Sequence, residues 1–242
     1  ERRRCDRVQG YSRHVARHPF DEYLKALTRG DFRVLKSGDT TADRERTLHT
    51  WDENIPLEET LSALDYAVSS GRVRYVGVSN YSGWQLARAA TLQNPLFGKT
   101  NIISTQSEYS LLNRKVEEEV IPASIEMNIG FLAWSPLGRG VLTVKYRNGV
   151  PSDSRGASAH FASFVSPYLD GKSKKIVDAV CVASEGLGFS PLEVALSWVR
   201  DSYGVSSAIV GARTAAQLRG ALTVEEITLP DQVRAALDEI SI

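Results

Sequence analysis

Small or polar residues follow four short apolar runs of the sequence, and such residues could bind a ligand through hydrogen bonds. They are Ser79 and Asn80 after the run 73–78, Gln106 after 101–104, Ser135 after 130–134, and Gly211 after 207–210. If the runs are parallel β-strands, their carboxyl ends meet on one face, and in a barrel of such strands that face holds the active site. The pattern therefore predicts a ligand-binding face. The alternative for each residue taken singly is that it only caps the end of its strand.

Helical patterns lie between these apolar runs. The predicted helices are one that opens at Pro56 and is closed by Gly71, one capped by Ser82, and others at 116–127, 174–186, 190–199, 215–222 (capped by Thr214) and 230–240. A loop rich in glycine, serine and proline covers 138–171. Because strands that alternate with helices are typical of βαβ units, the pattern predicts an α/β fold with a parallel sheet.

The composition is that of a folded globular protein. The 242 residues include 29 Lys or Arg and 29 Asp or Glu, so the formal net charge is zero, and 42% of the residues are hydrophobic. This charge balance argues against a nucleic-acid binder. No apolar stretch reaches the length of about 18 residues that predicts a membrane span. Two cysteines are too few for a disulfide framework, which favours a reducing cytoplasm.

The first 47 residues differ from the remainder and are interpreted as a separate, atypical charged segment. Residues 1–48 hold 12 Lys or Arg and 8 Asp or Glu without a clear apolar period. The acidic residues argue against a transit peptide, and the lack of an apolar centre argues against a secretory signal. We expect a solvated segment, with a nucleic-acid-binding arm as the weaker alternative. The charged run 43–46 is not expected to form a buried strand, because its charges would be left unpaired.

From Leu48 onward, several segments resemble those of the aldo-keto reductases. They are Leu48-His49 with Trp51-Asp52, followed by 56–61, 71–80, 106–114, 133–140 and 209–214, in the order and at the spacing of that family. The form Trp134-Ser135-Pro136-Leu137 is most similar to the bacterial branch that also includes potassium-channel β-subunits. The resemblance implies a (β/α)₈ barrel of the TIM type over 48–242, of which strands four to eight are recognisable, and NADPH as the cofactor.

The resemblance also implies roles for particular residues. His49 is implied as the catalytic histidine, which helps to polarise and orient a carbonyl group. The residues implied in NADPH binding are Ser79, Asn80, Gln106, Trp134, Ser135, Pro136, Leu137, Gly138, Arg139, Lys145, Arg155, Gly211, Arg213 and Gln217. The first three would hold the nicotinamide carboxamide, Trp134 would stack on the nicotinamide ring, and 135–139 would meet the pyrophosphate. No metal site is implied. Gly220 and Ala221 depart from the Glu and Asn that the family often has near the adenine.

Three other side chains of the family's chemistry, an Asp, a Tyr and a Lys, have no match in this sequence. Residues 1–47 carry neither an Asp-Thr-Ala…Tyr-Gly segment nor a strand that ends in Thr-Lys. They are also too few for three βα units, which need about 90 residues. The sequence begins at Glu1, and its only methionine is Met127. Together these observations predict an incomplete barrel from a truncated or rearranged product, or, as the alternative, a barrel that another chain completes.

Three functional hypotheses follow. The first is an NADPH-dependent oxidoreductase that reduces aldehyde or ketone carbonyls of small molecules by hydride transfer. The second is an NADPH-binding regulatory or partner protein without catalysis. The third is an inactive fragment, in which open sheet edges would favour self-association. Neither nucleic acid nor a membrane is an expected partner.

Overall fold

The computed structural model describes residues 45–147, 149–152, 154–158, 162–212 and 214–242. Within these ranges the chain forms two compact units. The first unit comprises the described residues up to Thr105 together with Val120–Gly130, and the second comprises Gln106–Glu119 and Phe131–Ile242. The predicted charged segment 1–47 lies outside the described residues, apart from its last three positions.

Five strands and eight α-helices are found in the described ranges. In chain order they are β1 Glu45–Leu48, α1 Leu57–Ser69, β2 Tyr75–Ser79, α2 Gly83–Leu92, β3 Ile102–Glu108, α3 Val120–Glu126, β4 Gly130–Trp134, α4 Ala162–Val165, α5 Gly171–Leu187, α6 Pro191–Arg200, β5 Val205–Ile209, α7 Ala215–Leu222 and α8 Asp231–Ser241. No single helix among them is long and apolar enough to cross a membrane, and α5 with α6 reaches that length and composition only as a pair bent by 102°.

The strands follow one another across the sheet in chain order, β1-β2-β3-β4-β5. In the first unit β1 pairs with β2, and in the second unit β4 pairs with β5; both pairings are parallel. Strand β3 contributes its residues up to Thr105 to the first unit and those from Gln106 to the second. The alternation and the parallel pairing confirm the predicted α/β fold, and the five strands agree with the recognisable part of a (β/α)₈ barrel.

In the first unit the sheet packs against helices whose ends are fixed locally. Ser82 caps α2 as predicted: its hydroxyl accepts the Gln85 N–H, and the Gln85 side chain accepts the Ser82 N–H at 2.9 Å. The core side chains include Val76, Val78 and Leu86, none of which is exposed to solvent. Such reciprocal caps satisfy helix N–H groups that would otherwise lack partners, so the sequence alone determines where α2 begins.

In the second unit the core is built around Tyr109, Phe131 and Trp198, all of which are buried. The Tyr109 ring lies 6.1 Å from the Phe131 ring and 5.4 Å from the Trp198 ring. Arg114 joins this core to the last helix, because it donates to the Asp238 carbonyl and to the Ser241 hydroxyl, each at 2.8 Å. Helix α8 therefore packs on the unit, as its apolar spacing predicts.

Strand β1 contradicts one expectation. The charged run 43–46 was not expected to form a buried strand in the usual register, yet β1 begins at Glu45. Glu45 lies opposite Tyr75, and the pairing continues to Leu48 opposite Val78. The prediction weighed side-chain charge, whereas strand pairing uses backbone groups that almost every residue carries.

Other boundaries also differ from the prediction, among them those of β2 and β5, whose apolar runs were 73–78 and 207–210. Strand β3 extends to Glu108 because buried polar residues continue the apolar run. The predicted helix 116–127 is replaced by the 3₁₀ turn Lys115–Glu117 and by α3, which starts at Val120 and so keeps Pro122 in its first turn. The predicted loop 138–171 contains α4 and three 3₁₀ turns, Gly138–Thr143, Arg155–Ala157 and Ser166–Tyr168.

The N-terminal cap of α6 allows a test of how much such a cap stabilises the fold. The Ser190 hydroxyl accepts the Glu193 N–H, and the Ser190 N–H donates to the Glu193 carboxylate at 2.7 Å. We expect Ser190→Ala to lower the free energy of unfolding by about 1 kcal/mol in urea denaturation, and Ser190→Asn to retain it, since asparagine is an equally good cap. Equal losses in both variants would contradict the capping role.

The same cap predicts a pH dependence. The backbone N–H of Ser190 lowers the pKa of Glu193 below its ordinary value. The contribution of this carboxylate to stability is therefore complete above the ordinary pKa and is lost as the pH falls through the lowered one.

Candidate functional site

A cavity of about 460 Å³ lies in the second unit, at the carboxyl ends of β4 and β5. Eight of the residues predicted to bind the cofactor line it, namely Trp134, Ser135, Pro136, Leu137, Arg139, Lys145, Gly211 and Gln217. Phe164, which sequence reasoning missed, lines it as well. The strand-end pattern thus leads to a real concave site within this unit.

The loop that follows β4 forms one wall of the cavity through an unusual backbone path. Four of its residues adopt left-handed conformations, with φ of 56° at Ser135, 54° at Gly138, 58° at Arg139 and 90° at Gly140. The turn is closed by the Gly138 N–H, which donates to the Ser135 carbonyl at 2.9 Å. The Arg139 N–H donates to the Ser135 hydroxyl at 3.0 Å. Two of the four positions are glycines, which adopt left-handed backbone at little steric cost because they lack a Cβ.

Space in this wall is also limited by side chains. A Cβ at Gly140 would lie 2.8 Å from the Lys145 Nζ, and a Cβ at Gly138 would lie 2.6 Å from the Leu112 Cδ1. The absence of a side chain at Gly140 therefore leaves room for the Lys145 ammonium beside the cavity, and its absence at Gly138 leaves room for Leu112. Gly138 itself does not line the cavity but shapes the loop behind it.

Two aromatic rings lie side by side along the cavity. The rings of Trp134 and Phe164 are nearly parallel, with an interplanar angle of 13° and centroids 6.5 Å apart. The Trp134 backbone carbonyl accepts the Tyr109 N–H at 3.2 Å. Since Tyr109 belongs to the buried core, the backbone that carries Trp134 is tied to the packing of the second unit.

Arg139 is the most heavily bonded side chain of the cavity wall. Its Nε and Nη2 donate to the two Glu108 carboxylate oxygens at 2.8 and 2.6 Å, and its Nη1 donates to the Phe164 carbonyl. The Arg139 side chain is 14% exposed and that of Glu108 is 10% exposed. The guanidinium predicted to meet a pyrophosphate is therefore already committed to a buried carboxylate.

Glu108 also affects a neighbouring phenol. Burial raises the pKa of Tyr168, and the Glu108 carboxylate raises it further. The Tyr168 hydroxyl therefore stays protonated at neutral pH. Sequence reasoning missed Glu108 as a residue of the site. Glu108 and Arg139 are 31 residues apart, and nothing in the spacing selects them as partners.

The N-terminus of helix α7 borders the cavity through uncharged residues. Thr214 caps this helix, and its hydroxyl accepts the Gln217 N–H at 3.2 Å. Gly211, Ala212 and Gln217 line the cavity at this helix N-terminus, where the helix dipole favours anions. Arg213 lies outside the described residues, as does the side chain of Arg155, whose backbone forms part of the turn Arg155–Ala157.

Other predicted site residues belong to the first unit. Ser79 ends β2 and is buried, while Asn80 follows in a left-handed conformation with φ of 57°. The Asn80 Nδ2 donates to the His49 carbonyl at 3.0 Å, so these two predicted residues are brought together. Gln106, by contrast, belongs to the part of β3 that lies in the second unit, and it is partly buried.

His49 lines a smaller cavity of about 270 Å³ within the first unit, together with Trp51 and Tyr81. The Trp51 ring meets the Tyr81 ring edge to face at 5.2 Å. Burial raises the pKa of Tyr81 to about 12, which makes this phenol a poor proton donor at neutral pH. Among the described residues, no group of three or more His, Cys, Asp or Glu side chains could hold a metal ion.

Comparisons with known proteins agree with the resemblance. The model of the Aldo/keto reductase family matches residues 45–242. The L-glyceraldehyde 3-phosphate reductase of Escherichia coli (strain K12) is 32% identical over 195 residues, which cover 79% of this chain and 56% of the relative. A probable voltage-gated potassium channel subunit beta of Arabidopsis thaliana is 34% identical over 197 residues, covering 79% of this chain and 58% of the relative. The chain spans about half the length of the curated relatives it matches.

The Arg139–Glu108 pair predicts a large effect of a single charge removal. In Glu108→Gln the guanidinium loses its buried counter-charge, and we expect the free energy of unfolding to fall by about 3 kcal/mol in urea denaturation. Glu58→Gln is the matched control, since the Arg88–Glu58 pair has a similar N–O distance of 2.9 Å but is exposed. We expect little change there, because exposed ion pairs contribute little. Similar losses in the two variants would contradict a special role for the buried pair.

Proposed function

The chain belongs to the aldo/keto reductase family, and we propose that it is an NADPH-dependent oxidoreductase that reduces aldehyde or ketone carbonyls of small molecules. The observation that carries this proposal is the cavity of the second unit. It is lined by the aromatic side chain of Trp134, by Gly140 in a tight loop, and by Lys145. Each of these features suits a different part of a dinucleotide. When bound, NADPH supplies the hydride for the reaction.

The aromatic part of the cavity suits a nicotinamide ring. Trp134 offers a flat, partly buried indole surface at the end of β4. Aromatic rings gain from stacking beyond the area that they bury. From the family resemblance, Ser79, Asn80 and Gln106 are proposed to hold the carboxamide, which determines the ring face that meets the substrate. His49 is proposed to orient the substrate carbonyl.

The polar part of the cavity suits phosphate groups. Lys145 supplies a cation, and Gly140 beside it has no side chain that would crowd the ammonium group. The N-terminus of α7 adds a partial positive charge. A 2′-phosphate beside Lys145 would favour NADPH over NADH.

A second candidate function is NADPH binding without turnover. It is favoured by the phenol beside His49, because burial raises the pKa of Tyr81 to about 12 and makes it a poor proton donor. In this case the cavity would still bind the cofactor, and the chain would act as a regulatory or partner protein. Carbonyl-dependent oxidation of NADPH by the purified chain favours the first candidate, and saturable binding without such oxidation favours the second.

Quenching of tryptophan fluorescence tests cofactor binding at Trp134. We expect NADPH to quench the fluorescence of the wild-type chain saturably, and Trp134→Leu to lose most of the quenching and about tenfold in affinity. Trp84→Leu is the control, because Trp84 is exposed in the first unit and does not line this cavity. Quenching that disappears in Trp84→Leu and persists in Trp134→Leu would contradict the assignment.

A lysine substitution tests the phosphate part of the cavity. We expect Lys145→Met to weaken NADPH binding about tenfold or more, because a charge-assisted hydrogen bond to phosphate is lost. Binding of NADH, which lacks the 2′-phosphate, should change much less. Lys174→Met on the exposed face of α5 is the control and should leave both affinities unchanged. Calorimetric titration of the three proteins with both nucleotides gives the comparison, and equal losses for NADPH and NADH would argue against a 2′-phosphate contact.

A further inference from the structure

One guanidinium in the second unit joins three stretches of chain at the wall of the cavity. Arg139 follows β4, its carboxylate partner Glu108 ends β3, and its third acceptor is the carbonyl of Phe164 in α4. The guanidinium carbon lies 3.8 Å from the centre of the Phe164 ring and 4.8 Å from that of Tyr168. We call these four residues the Arg139 cluster.

The chemistry of arginine explains why this arrangement fixes a position. The planar guanidinium meets both carboxylate oxygens of Glu108 at once and still has an N–H for the Phe164 carbonyl. Its face is simultaneously available to an aromatic ring. Because Phe164 is bound both through its backbone and through its ring, the cluster restrains the position of this side chain in two ways.

The restrained ring borders the cavity that is proposed to bind the cofactor. Phe164 lines that cavity with Trp134, and the two ring planes differ by only 13°. The four-residue helix that carries Phe164 is too short to be stable by itself, since short isolated helices are marginal in water. The contacts with Arg139 thus supply part of what keeps Phe164 beside Trp134.

We propose that Arg139 and Glu108 act as positioning residues that hold Phe164 as a second aromatic wall of the cofactor cavity, and that this wall slows the release of bound NADPH. The inference rests on the proposed function, because it assumes that the cavity binds the cofactor. It assigns Arg139 a role through Phe164 instead of a direct pyrophosphate contact. Neither residue is required to take part in hydride transfer.

Stopped-flow fluorescence of NADPH release tests this inference. We expect Phe164→Leu and Arg139→Lys each to accelerate release about fivefold, because an aromatic contact is lost or displaced. The double variant should release NADPH no faster than the faster single variant, since both changes act through the same ring. In the free chain, amide hydrogen exchange over 162–168 should be faster in Arg139→Lys than in the wild type.

Arg200→Lys is a matched control in the same unit. Arg200 donates to both carboxylate oxygens of Asp201 at 2.7 Å and also to the backbone carbonyls of Val224 and Ile227, but it does not line the cavity. This variant reproduces the loss of a bidentate arginine and should leave the release rate and the exchange over 162–168 unchanged. Phe97→Leu, at an exposed phenylalanine of the first unit, is the corresponding control for Phe164→Leu.

The outcomes separate this inference from the proposed function. If the wild-type chain binds NADPH but Phe164→Leu and Arg139→Lys release it at the wild-type rate, the positioning role is overturned and the proposed function stands. Fully additive effects in the double variant would also overturn it, because the two residues would then act independently. If the wild-type chain shows no saturable NADPH binding, the proposed function falls and the inference falls with it.

Discussion

A buried guanidinium and a buried carboxylate each lose their hydration, so neither is tolerated without the other. In the second unit, Arg139 and Glu108 form such an ion pair, and both side chains are mostly buried. The pairing fixes the end of β3 relative to the loop after β4, and the remaining N–H of Arg139 fixes the backbone at Phe164. The shape of the cavity wall follows from these bonds together with the left-handed turn at 135–140, in which glycine allows the chain to turn closely.

How far the sequence predicts this structure depends on the range of the interaction concerned. Ser82 and Thr214 were predicted as caps because each acts on a residue three positions away. Strand β4 was predicted with its observed ends, because Ser135 follows its apolar run directly. In contrast, β1 could not be predicted from its charges, since its pairing with β2 involves backbone groups about 30 residues away.

The candidate site was likewise predicted only in part. The strand-end residues and the family resemblance led to eight of the residues that line the larger cavity. They did not reveal Phe164, which lies in a predicted loop, or the partner of Arg139, because a contact between residues 31 positions apart leaves no periodic signal. The His49 backbone contact with Asn80 likewise joins residues 31 positions apart. Local chemistry therefore indicated where a ligand would bind, while tertiary contacts decide how its walls are held.

The central claim is that the cavity at the ends of β4 and β5 binds a nicotinamide dinucleotide. A crystal structure of the chain grown with saturating NADPH tests it most directly, because it locates the ligand without assuming any role for a side chain. We expect the nicotinamide ring against the indole of Trp134, with the phosphates along 135–140 and beside Lys145. NADPH bound at another surface, with this cavity empty, would contradict the assignment of the cavity.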